Sequence, residues 1–204
     1  MTAPAPFIDL IELCPTLRLD IRYHGSDNFI GLPVDGYEAP RAWLTGPAAR
    51  ALVQVQRRLE LFDLSLKIFD AYRPQRAVDH FIRWCDSPCD PQLKTLYYPE
   101  LEKSQLFEEG YLNRHSTHSR GSTVDLTIVS CDGATELDMG TRFDFFGPES
   151  WLDCDSIPPQ ARANRLLLQR LMVEAGFIPF HHEWWHFTLR DEPYPHTCFD
   201  IPIR

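Results

Sequence analysis

The chain has 204 residues, of which 44% are hydrophobic and 24% charged, a composition typical of a globular protein that can bury a core without disulfide bonds. Its formal net charge is -9 and it contains no run of lysine and arginine, which argues against binding to nucleic acid or to an anionic membrane surface. No apolar stretch approaches the length needed to cross a bilayer.

The first residues carry neither a basic region nor a long apolar run, so no signal peptide is expected and the sequence favours the cytoplasm over the periplasm. The six cysteines are consistent with reduced thiols in that compartment, although their even number leaves pairing open. Cys85 and Cys89 could share one helix face, but no second ligand pair accompanies them, which disfavours a metal site there.

In the first part of the chain, residues 17–23 alternate apolar and polar side chains, which predicts a strand. Residues 27–40 are rich in glycine and proline and indicate a long ordered loop. Thr45 is a plausible helix N-cap, with Pro47 in the first turn, and the apolar spacing predicts a helix to about Phe62.

The middle of the chain begins with a short apolar run at residues 66–69, which predicts a buried strand. Pro74 breaks this strand and can open a helix reaching about Trp84. Residues 86–115 are polar and contain proline, and their pattern predicts no regular element.

The last third predicts a strand at residues 123–129 and a helix at residues 159–175, which ends at Gly176. The apolar side of that helix is expected to carry Leu166, Leu167, Leu171 and Val173. Residues 177–180 and 184–189 are rich in aromatic side chains and predict a closing strand or hairpin. Helices and strands are interspersed without a regular βαβ rhythm, which favours one α+β domain over residues 1–204, with a central, mainly antiparallel sheet flanked by helices.

The segment Ser116-Thr-His118-Ser-Arg-Gly121-Ser-Thr-Val-Asp125 contains a candidate pair of metal ligands. His118 and Asp125 would lie on opposite faces of one straight strand, but Gly121 can supply a bend that lets them converge. Asp125 has apolar neighbours, and a buried carboxylate requires a partner such as a metal ion, an arginine or several donors. A salt-bridged Asp125 beside a surface histidine is the structural alternative.

The segment Glu183-Trp-Trp-His186 offers a second histidine and a second carboxylate. Its aromatic neighbours favour a strand, so we expect Glu183 in the turn or bulge before that strand and His186 within it. His181 and His182 are rivals to His186 as ligands. We favour His186 because strand-type apolar residues flank it. The alternative is a polar cluster on an edge strand.

Together the two segments supply two imidazoles, one carboxylate ligand and one spare carboxylate. This combination is typical of a catalytic zinc site, with three protein ligands, an open position for water and a base beside it. Arg73 follows a predicted buried strand and precedes a helix, where its guanidinium could stabilise an oxyanion. An ordinary loop arginine is the alternative.

These segments together resemble the zinc D-alanyl-D-alanine dipeptidases of the vancomycin-resistance type. The wider group of zinc peptidases shares Ser-x-His-x-x-Gly-x-x-x-Asp and a later Glu-x-x-His. Four further segments resemble the dipeptidases in order and spacing: Asp27-Asn-Phe-x-Gly31, Val34-Asp-Gly-Tyr37, Asp70-Ala-Tyr-Arg73-Pro-Gln and Asp144-Phe-Phe-Gly147. The resemblance spans roughly residues 17–190.

The resemblance implies a small α+β domain that hydrolyses the free dipeptide D-Ala-D-Ala. It implies one Zn²⁺ per chain with three ligands, His118, Asp125 and His186. Glu183 would act as the base that later returns its proton to the departing amine, and Arg73 would stabilise the transition state. Substrate contacts would come from Tyr37, Ser116 and Asp144.

Two other functions stay open from the sequence. A zinc D,D-carboxypeptidase or endopeptidase acting on peptidoglycan peptides would share the ligands but have an open groove. A non-catalytic zinc-containing binding module would need neither a base nor an electrophile, so the presence of Glu183 and Arg73 favours an enzyme. The expected partner is a small dipeptide, with neither nucleic acid nor membrane. The sequence predicts neither the oligomeric state nor whether the activity serves antibiotic resistance or D-alanine recycling.

Overall fold

The computed structural model describes residues 3–204. Its strands and α-helices are, in chain order, β1 (Phe7–Asp9), α1 (Leu10–Leu13), β2 (Arg18–Leu19), β3 (Trp43–Thr45), α2 (Gly46–Glu60), β4 (Leu64–Asp70), α3 (Gln75–Cys85), α4 (Pro91–Tyr97), α5 (Gln105–Glu108), β5 (Thr123–Ser130), α6 (Pro159–Glu174), β6 (Phe177–Phe180) and β7 (Glu183–Leu189). Short 3₁₀ helices lie at Arg22–His24, Thr117–Arg120 and Pro148–Ser150. Within residues 3–204, no helix combines the length and apolar character that a membrane span requires.

The main sheet has five strands in the order β2-β4-β5-β7-β6. Only the β2–β4 pair is parallel, and the other three pairs are antiparallel. A separate antiparallel pair joins β1 to β3. Strands β4, β5 and β7 lie inside the main sheet, and β5 is buried along nearly its whole length. The predicted α+β class with a mainly antiparallel sheet is therefore confirmed.

The predicted helix after Thr45 is α2, which buries Leu52, Val55 and Leu59. Thr45 precedes the helix as expected, but its hydroxyl lies 2.7 Å from Ser122 Oγ and does not cap the helix. Because that contact joins the start of α2 to the residue before β5, it ties the helix to the segment that carries the first candidate ligand.

The apolar face predicted for α6 is correct at Leu171 and wrong at the other three positions. Leu166 is 62% exposed, and Leu167 and Val173 are each 39% exposed. The buried apolar side of the helix consists of Ala161, Leu168, Leu171 and Met172.

The reason for this different face is the buried Arg165. Its Nε donates to Met139 O at 2.6 Å, and its two terminal nitrogens donate to Trp151 O at 3.0 Å and Glu149 O at 2.8 Å. A buried guanidinium is tolerated when its donors are satisfied. The charged side chain therefore points into the protein and rotates the leucines that follow it toward solvent.

The strand predicted at residues 17–23 is shorter than expected, because β2 covers only Arg18–Leu19 before the chain turns into a 3₁₀ helix. The loop predicted at residues 27–40 contains neither helix nor strand. The buried Asn28 organises it, since its amide nitrogen donates to three carbonyls and its oxygen accepts from Ile30 N and Gly31 N. Residues 86–115, for which the sequence predicts no regular element, contain the two short helices α4 and α5.

Candidate metal centre

The strand register places three acidic or imidazole side chains side by side across the main sheet. Asp70 on β4 pairs with Asp125 on β5, and Asp125 pairs with His186 on β7. His118 joins them from the 3₁₀ helix that precedes β5. The centre of the sheet is therefore the scaffold for the cluster, and rigid strands hold two of the three candidate ligands.

Gly121 turns the chain between His118 and Asp125. It has φ 80° and ends the 3₁₀ helix in the left-handed region. A Cβ at this position would lie 2.4 Å from Cε1 of Phe7. Glycine is required here both because side chains disfavour that backbone conformation and because the Phe7 ring fills the space. The turn brings His118 back toward Asp125, as the spacing of the two residues predicts.

The candidate ligands His118, Asp125 and His186 converge on one point. Their nearest donor atoms all lie within 4.8 Å of one another. Nε2 of His118 is 3.2 Å from Oδ2 of Asp125, and Nδ1 of His186 is 3.1 Å from Oδ1 of Asp125. The two imidazole nitrogens are 3.3 Å apart. His118 and Asp125 are buried, and His186 is largely so.

The hydrogen bonds around this cluster fit a cation. Nδ1 of His118 lies 2.7 Å from Ala71 O, to which it can only donate, so in the neutral imidazole that binds metals the lone pair is on Nε2 and faces Asp125. Oδ1 of Asp125 is buried and accepts no well-aligned hydrogen bond, even though Nδ1 of His186 is close to it. An orphaned carboxylate oxygen and two facing nitrogen atoms are satisfied together by a metal ion.

The ionisation of the cluster also suits metal binding. Although burial alone would raise it, the pKa of Asp125 is lowered below its usual value by the neighbouring His118 and His186. Burial lowers the pKa of His186, and Asp125 only partly offsets that effect. The carboxylate is therefore ionised and His186 is neutral near pH 7, which are the forms that bind metals.

Glu183 is the first residue of β7 and lies at a register shift opposite Phe180. This irregular entrance to the strand is the position that the sequence predicts for it. Its Oε2 is 3.4 Å from Nδ1 of His186. Burial raises the pKa of Glu183 well above its usual value, and the charges of Asp125 and Asp144 raise it further. A carboxylate with a raised pKa is suited to proton transfer near neutral pH.

Arg73 lies directly after β4 and projects into the same region. Its Nε is 2.9 Å from Oδ2 of Asp70, and its Nη2 is 3.5 Å from Oδ2 of Asp125. The guanidinium also covers the rings of Tyr23 and Phe81, at 4.9 Å and 5.1 Å from their centroids. The two carboxylates and the two rings therefore fix the position of the Arg73 side chain at the edge of the cluster.

A cavity of about 170 Å³ contains these groups. This is below the ~300 Å³ at which pockets for drug-sized ligands begin, so the cavity suits a smaller molecule. Seven of the eight residues predicted for the site line it: Arg73, Ser116, His118, Asp125, Asp144, Glu183 and His186. Tyr37 does not line it, because its hydroxyl donates to Oδ1 of Asp70 at 2.7 Å behind the cavity wall.

Tyr23, which lines the cavity, is a residue that sequence reasoning missed. Its hydroxyl is 3.0 Å from Oδ2 of Asp144. Asp144 is buried in a left-handed conformation with φ 62°, and burial together with the charge of Asp125 raises its pKa well above the usual value. Tyr23 ends the alternating stretch of residues 17–23, where it occupies one more apolar position, so no local pattern distinguishes it.

The rival histidines lie outside the cluster. His181 is exposed, and its Nε2 is 3.5 Å from Oδ1 of Asp153. His182 stacks on the ring of Trp151, with centroids 4.9 Å apart. Neither imidazole belongs to the group of donor atoms formed by the candidate ligands. The preference for His186 on the grounds of its strand position is therefore consistent with the geometry.

Comparison with known proteins places this chain among peptidases. A family described as D-ala-D-ala dipeptidase, peptidase family M15, matches residues 4–204. A D-alanyl-D-alanine dipeptidase of Streptomyces coelicolor is 42% identical over 203 residues, covering 100% of both chains. Proteins of the same name from Enterococcus faecalis and Escherichia coli K12 are 40% and 35% identical, covering 97% and 99% of this chain and 98% and 97% of their own. The chain therefore belongs to the M15 peptidase family of D-Ala-D-Ala dipeptidases.

Proposed function

We propose that this protein is a zinc-dependent dipeptidase that hydrolyses free D-Ala-D-Ala to two D-alanine molecules. One observation carries the proposal: His118, Asp125 and His186 share a small cavity with a buried carboxylate, Glu183, and a buried guanidinium, Arg73. The names of the relatives, all D-alanyl-D-alanine dipeptidases, support the choice of substrate.

The three converging side chains would hold one zinc ion per chain. Two imidazoles and one carboxylate form a ligand set that zinc accepts in catalytic sites, with a position left open for water. When bound, zinc supplies Lewis acidity and lowers the pKa of a water molecule toward neutrality. The hydrogen bond from His118 to Ala71 O fixes the orientation of that imidazole, as is usual for histidine ligands.

Glu183 is the proposed general base. Its carboxylate takes a proton from the attacking water and passes the same proton to the departing amine. The raised pKa of Glu183 makes both transfers accessible near neutral pH, since a base with a very low pKa would accept the proton poorly. The bulged start of β7 keeps this carboxylate in the cavity beside His186.

Arg73 is the proposed electrostatic partner of the oxyanion that develops on the scissile carbonyl. Asp70 holds its Nε, and the Tyr23 and Phe81 rings cover its faces, so the guanidinium does not need to reorganise during the reaction. Tyr37 would act indirectly, by holding Asp70 through its hydroxyl. This replaces the direct substrate contact expected for Tyr37 from the resemblance.

Selection of a free dipeptide requires recognition of an ammonium group at one end and a carboxylate at the other. Asp144 in the cavity wall is the proposed partner of the ammonium, whose charge would lower the raised pKa of this buried carboxyl. Oγ of Ser116 accepts from His118 N at 3.3 Å, which leaves its hydroxyl hydrogen free to donate to the substrate carboxylate.

The proposal is tested by measuring D-alanine release from D-Ala-D-Ala, from N-acetyl-D-Ala-D-Ala and from L-Ala-L-Ala with zinc-loaded protein. The proposal predicts rapid cleavage of the free D,D-dipeptide and poor cleavage of the other two. Equal cleavage of the acetylated peptide would instead indicate a D,D-carboxypeptidase with an open groove. Absence of cleavage at saturating zinc would indicate a non-catalytic binding module.

A cytoplasmic location and a role in either antibiotic resistance or D-alanine recycling stay predictions. Both roles require the same hydrolysis, so the chemistry of the site does not distinguish them. Cell fractionation would test the location, and growth of a deletion strain with glycopeptide or with D-Ala-D-Ala as a nutrient would separate the roles.

A further inference from the structure

One stretch of chain supplies much of the cavity wall. Residues 107–117 run from the end of α5 to the start of the 3₁₀ helix that carries His118, and we call them the wall segment. Eight of them line the cavity: Phe107, Gly110, Tyr111, Leu112, Asn113, His115, Ser116 and Thr117. The position of this segment therefore sets the room available to a ligand beside Glu183 and His186.

Apart from the buried side chain of Leu112 and a 3.3 Å contact between Thr117 Oγ1 and His186 Nε2, few contacts hold the wall segment to the rest of the protein. Its backbone is anchored by Leu112 N, which donates to Leu106 O at 2.9 Å, and by Arg114 O, which accepts from Gln75 Nε2 at 3.1 Å. Its middle is anchored through the side chain of Tyr111, whose hydroxyl accepts from Nε1 of Trp151 at 2.9 Å. Loss of this contact would loosen Tyr111 and the residues beside it.

The ring of Tyr111 lies close to aromatic side chains of two other segments of the chain. Its ring centroid is 5.3 Å from that of Phe146, which also lines the cavity, and 5.8 Å from that of His182. His182 directly precedes the proposed base Glu183. The Tyr111 ring therefore joins the wall segment to the turn that introduces the proposed catalytic carboxylate.

Trp151 is itself rigidly placed. Its ring stacks on His182 with centroids 4.9 Å apart and an interplanar angle of 23°. Its carbonyl accepts from the buried Arg165 at 3.0 Å, and the next residue, Leu152, donates from its N to His181 O at 2.9 Å. A donor fixed in this way can hold Tyr111 in one position.

We infer that Tyr111 is a specificity-determining residue that limits ligand length, and that Trp151 positions it through the Nε1–Oη hydrogen bond. The inference rests on the proposed function and names the residues that restrict it to free dipeptides. A peptide extended at the end that faces Tyr111 would need the space that its ring fills, so it is rejected by a clash rather than by a missing contact.

Four variants test the inference. Tyr111→Ala removes the ring that forms the wall, and Tyr111→Phe removes only the hydrogen bond. Trp151→Phe removes the same hydrogen bond together with part of the indole ring, and the fourth variant combines Tyr111→Phe with Trp151→Phe. The measured quantity is the ratio of kcat/KM for D-Ala-D-Ala to kcat/KM for N-acetyl-D-Ala-D-Ala and for the tripeptide D-Ala-D-Ala-D-Ala. Trp184→Phe is the matched control, because its Nε1 donates to Thr141 Oγ1 at 2.8 Å, away from the wall segment.

We expect Tyr111→Ala to lower at least one of these ratios by tenfold or more. Each hydrogen-bond variant should lower it by about threefold to tenfold, the usual worth of one such bond. The double variant should lower it no further than Trp151→Phe alone, since both changes remove the same hydrogen bond. An unchanged ratio in Tyr111→Ala would overturn the inference. It would also be overturned if the effects of Tyr111→Phe and Trp151→Phe on the ratio added in the double variant, or if Trp184→Phe changed the ratio as much as Trp151→Phe does.

Amide hydrogen exchange provides a second readout that needs no activity. Trp151→Phe should raise exchange in residues 107–117 and leave β5 and β7 protected. Unchanged exchange in the wall segment would contradict the positioning role of Trp151. If the wild-type protein fails to cleave D-Ala-D-Ala, the proposed function fails. If the wild type cleaves it and the variants keep its selectivity, only the assignment of Tyr111 and Trp151 fails.

Discussion

Asp70 and Arg73 form a buried ion pair beside the candidate metal cluster, with Nε of Arg73 2.9 Å from Oδ2 of Asp70. The same carboxylate accepts from the Tyr37 hydroxyl at 2.7 Å, and its Oδ2 lies 3.5 Å from Nδ1 of His118. Asp70 therefore contacts both the proposed oxyanion partner and a proposed zinc ligand. Because Asp70 does not line the cavity and its closer contact is with Arg73, its proposed role is to orient the guanidinium.

Replacing Arg73 should remove transition-state stabilisation without releasing the metal. We expect Arg73→Ala to lower kcat by about 10²–10³-fold, the typical effect of losing one oxyanion partner. Zinc content, measured by atomic absorption, should stay at that of the wild type. Arg76→Ala is the control, because Arg76 forms a comparable but exposed ion pair with Asp200. Near-normal turnover of Arg73→Ala would remove Arg73 from the mechanism.

Replacing Asp70 should act through Arg73. We expect Asp70→Asn to lower kcat by about 10–100-fold, as is typical when a group that orients a site residue is lost. In the Arg73→Ala background the same change should have a much smaller effect, because the group that Asp70 orients is already absent. Steady-state kinetics of the four proteins measure this coupling. A full additional loss in the double variant would show that Asp70 acts independently of Arg73.

Glu183→Gln keeps the shape of the side chain and removes its basicity. Loss of a general base costs about 10²–10⁴-fold, and we expect kcat for D-Ala-D-Ala to fall within this range. The three proposed ligands are unchanged, so the zinc content should be unchanged as well. If the variant instead retains near-normal hydrolysis with zinc bound, another group must accept the proton.

Gly121→Ala should destabilise the fold more than Gly110→Ala does. Gly121 and Gly110 both have φ 80°, but a Cβ at Gly121 would meet the Phe7 ring at 2.4 Å, whereas a Cβ at Gly110 would meet nothing within 4 Å. Backbone strain of about 1–2 kcal/mol is common to both variants. The clash should cost Gly121→Ala about 1–3 kcal/mol more in the free energy of unfolding by urea. Equal losses would mean that the Phe7 ring moves aside freely.

The convergence of the candidate ligands was predictable because it depends on local features. An odd spacing between His118 and Asp125 requires a bend, and Gly121 is the residue between them that permits one. The aromatic residues around His186 indicate a strand, and the position of Glu183 before it suggests a bulge. These features involve short segments, in which sequence periodicity is informative.

Other parts of the site depend on contacts between distant segments, which periodicity cannot reveal. The hydroxyl of Tyr23 meets Asp144 across 121 positions of sequence, and Tyr37 meets Asp70 across 33. The prediction of the buried face of α6 failed at three of its four residues for a similar reason. A helical pattern treats Arg165 as a solvent-facing residue, but backbone carbonyls from the Met139 and Glu149–Trp151 regions satisfy its charge inside the protein.

The central claim is that the cluster of His118, Asp125 and His186 binds the zinc that hydrolysis requires. The most direct measurement is D-alanine release from D-Ala-D-Ala before and after chelation and after stoichiometric zinc is returned, with His118→Ala and the exposed His196→Ala in parallel. We expect chelation to abolish release and zinc to restore it in the wild type and in His196→Ala, whereas His118→Ala should neither retain zinc nor regain activity. Undiminished release from the metal-free wild type, or full zinc-restored activity in His118→Ala, would contradict zinc binding by this cluster.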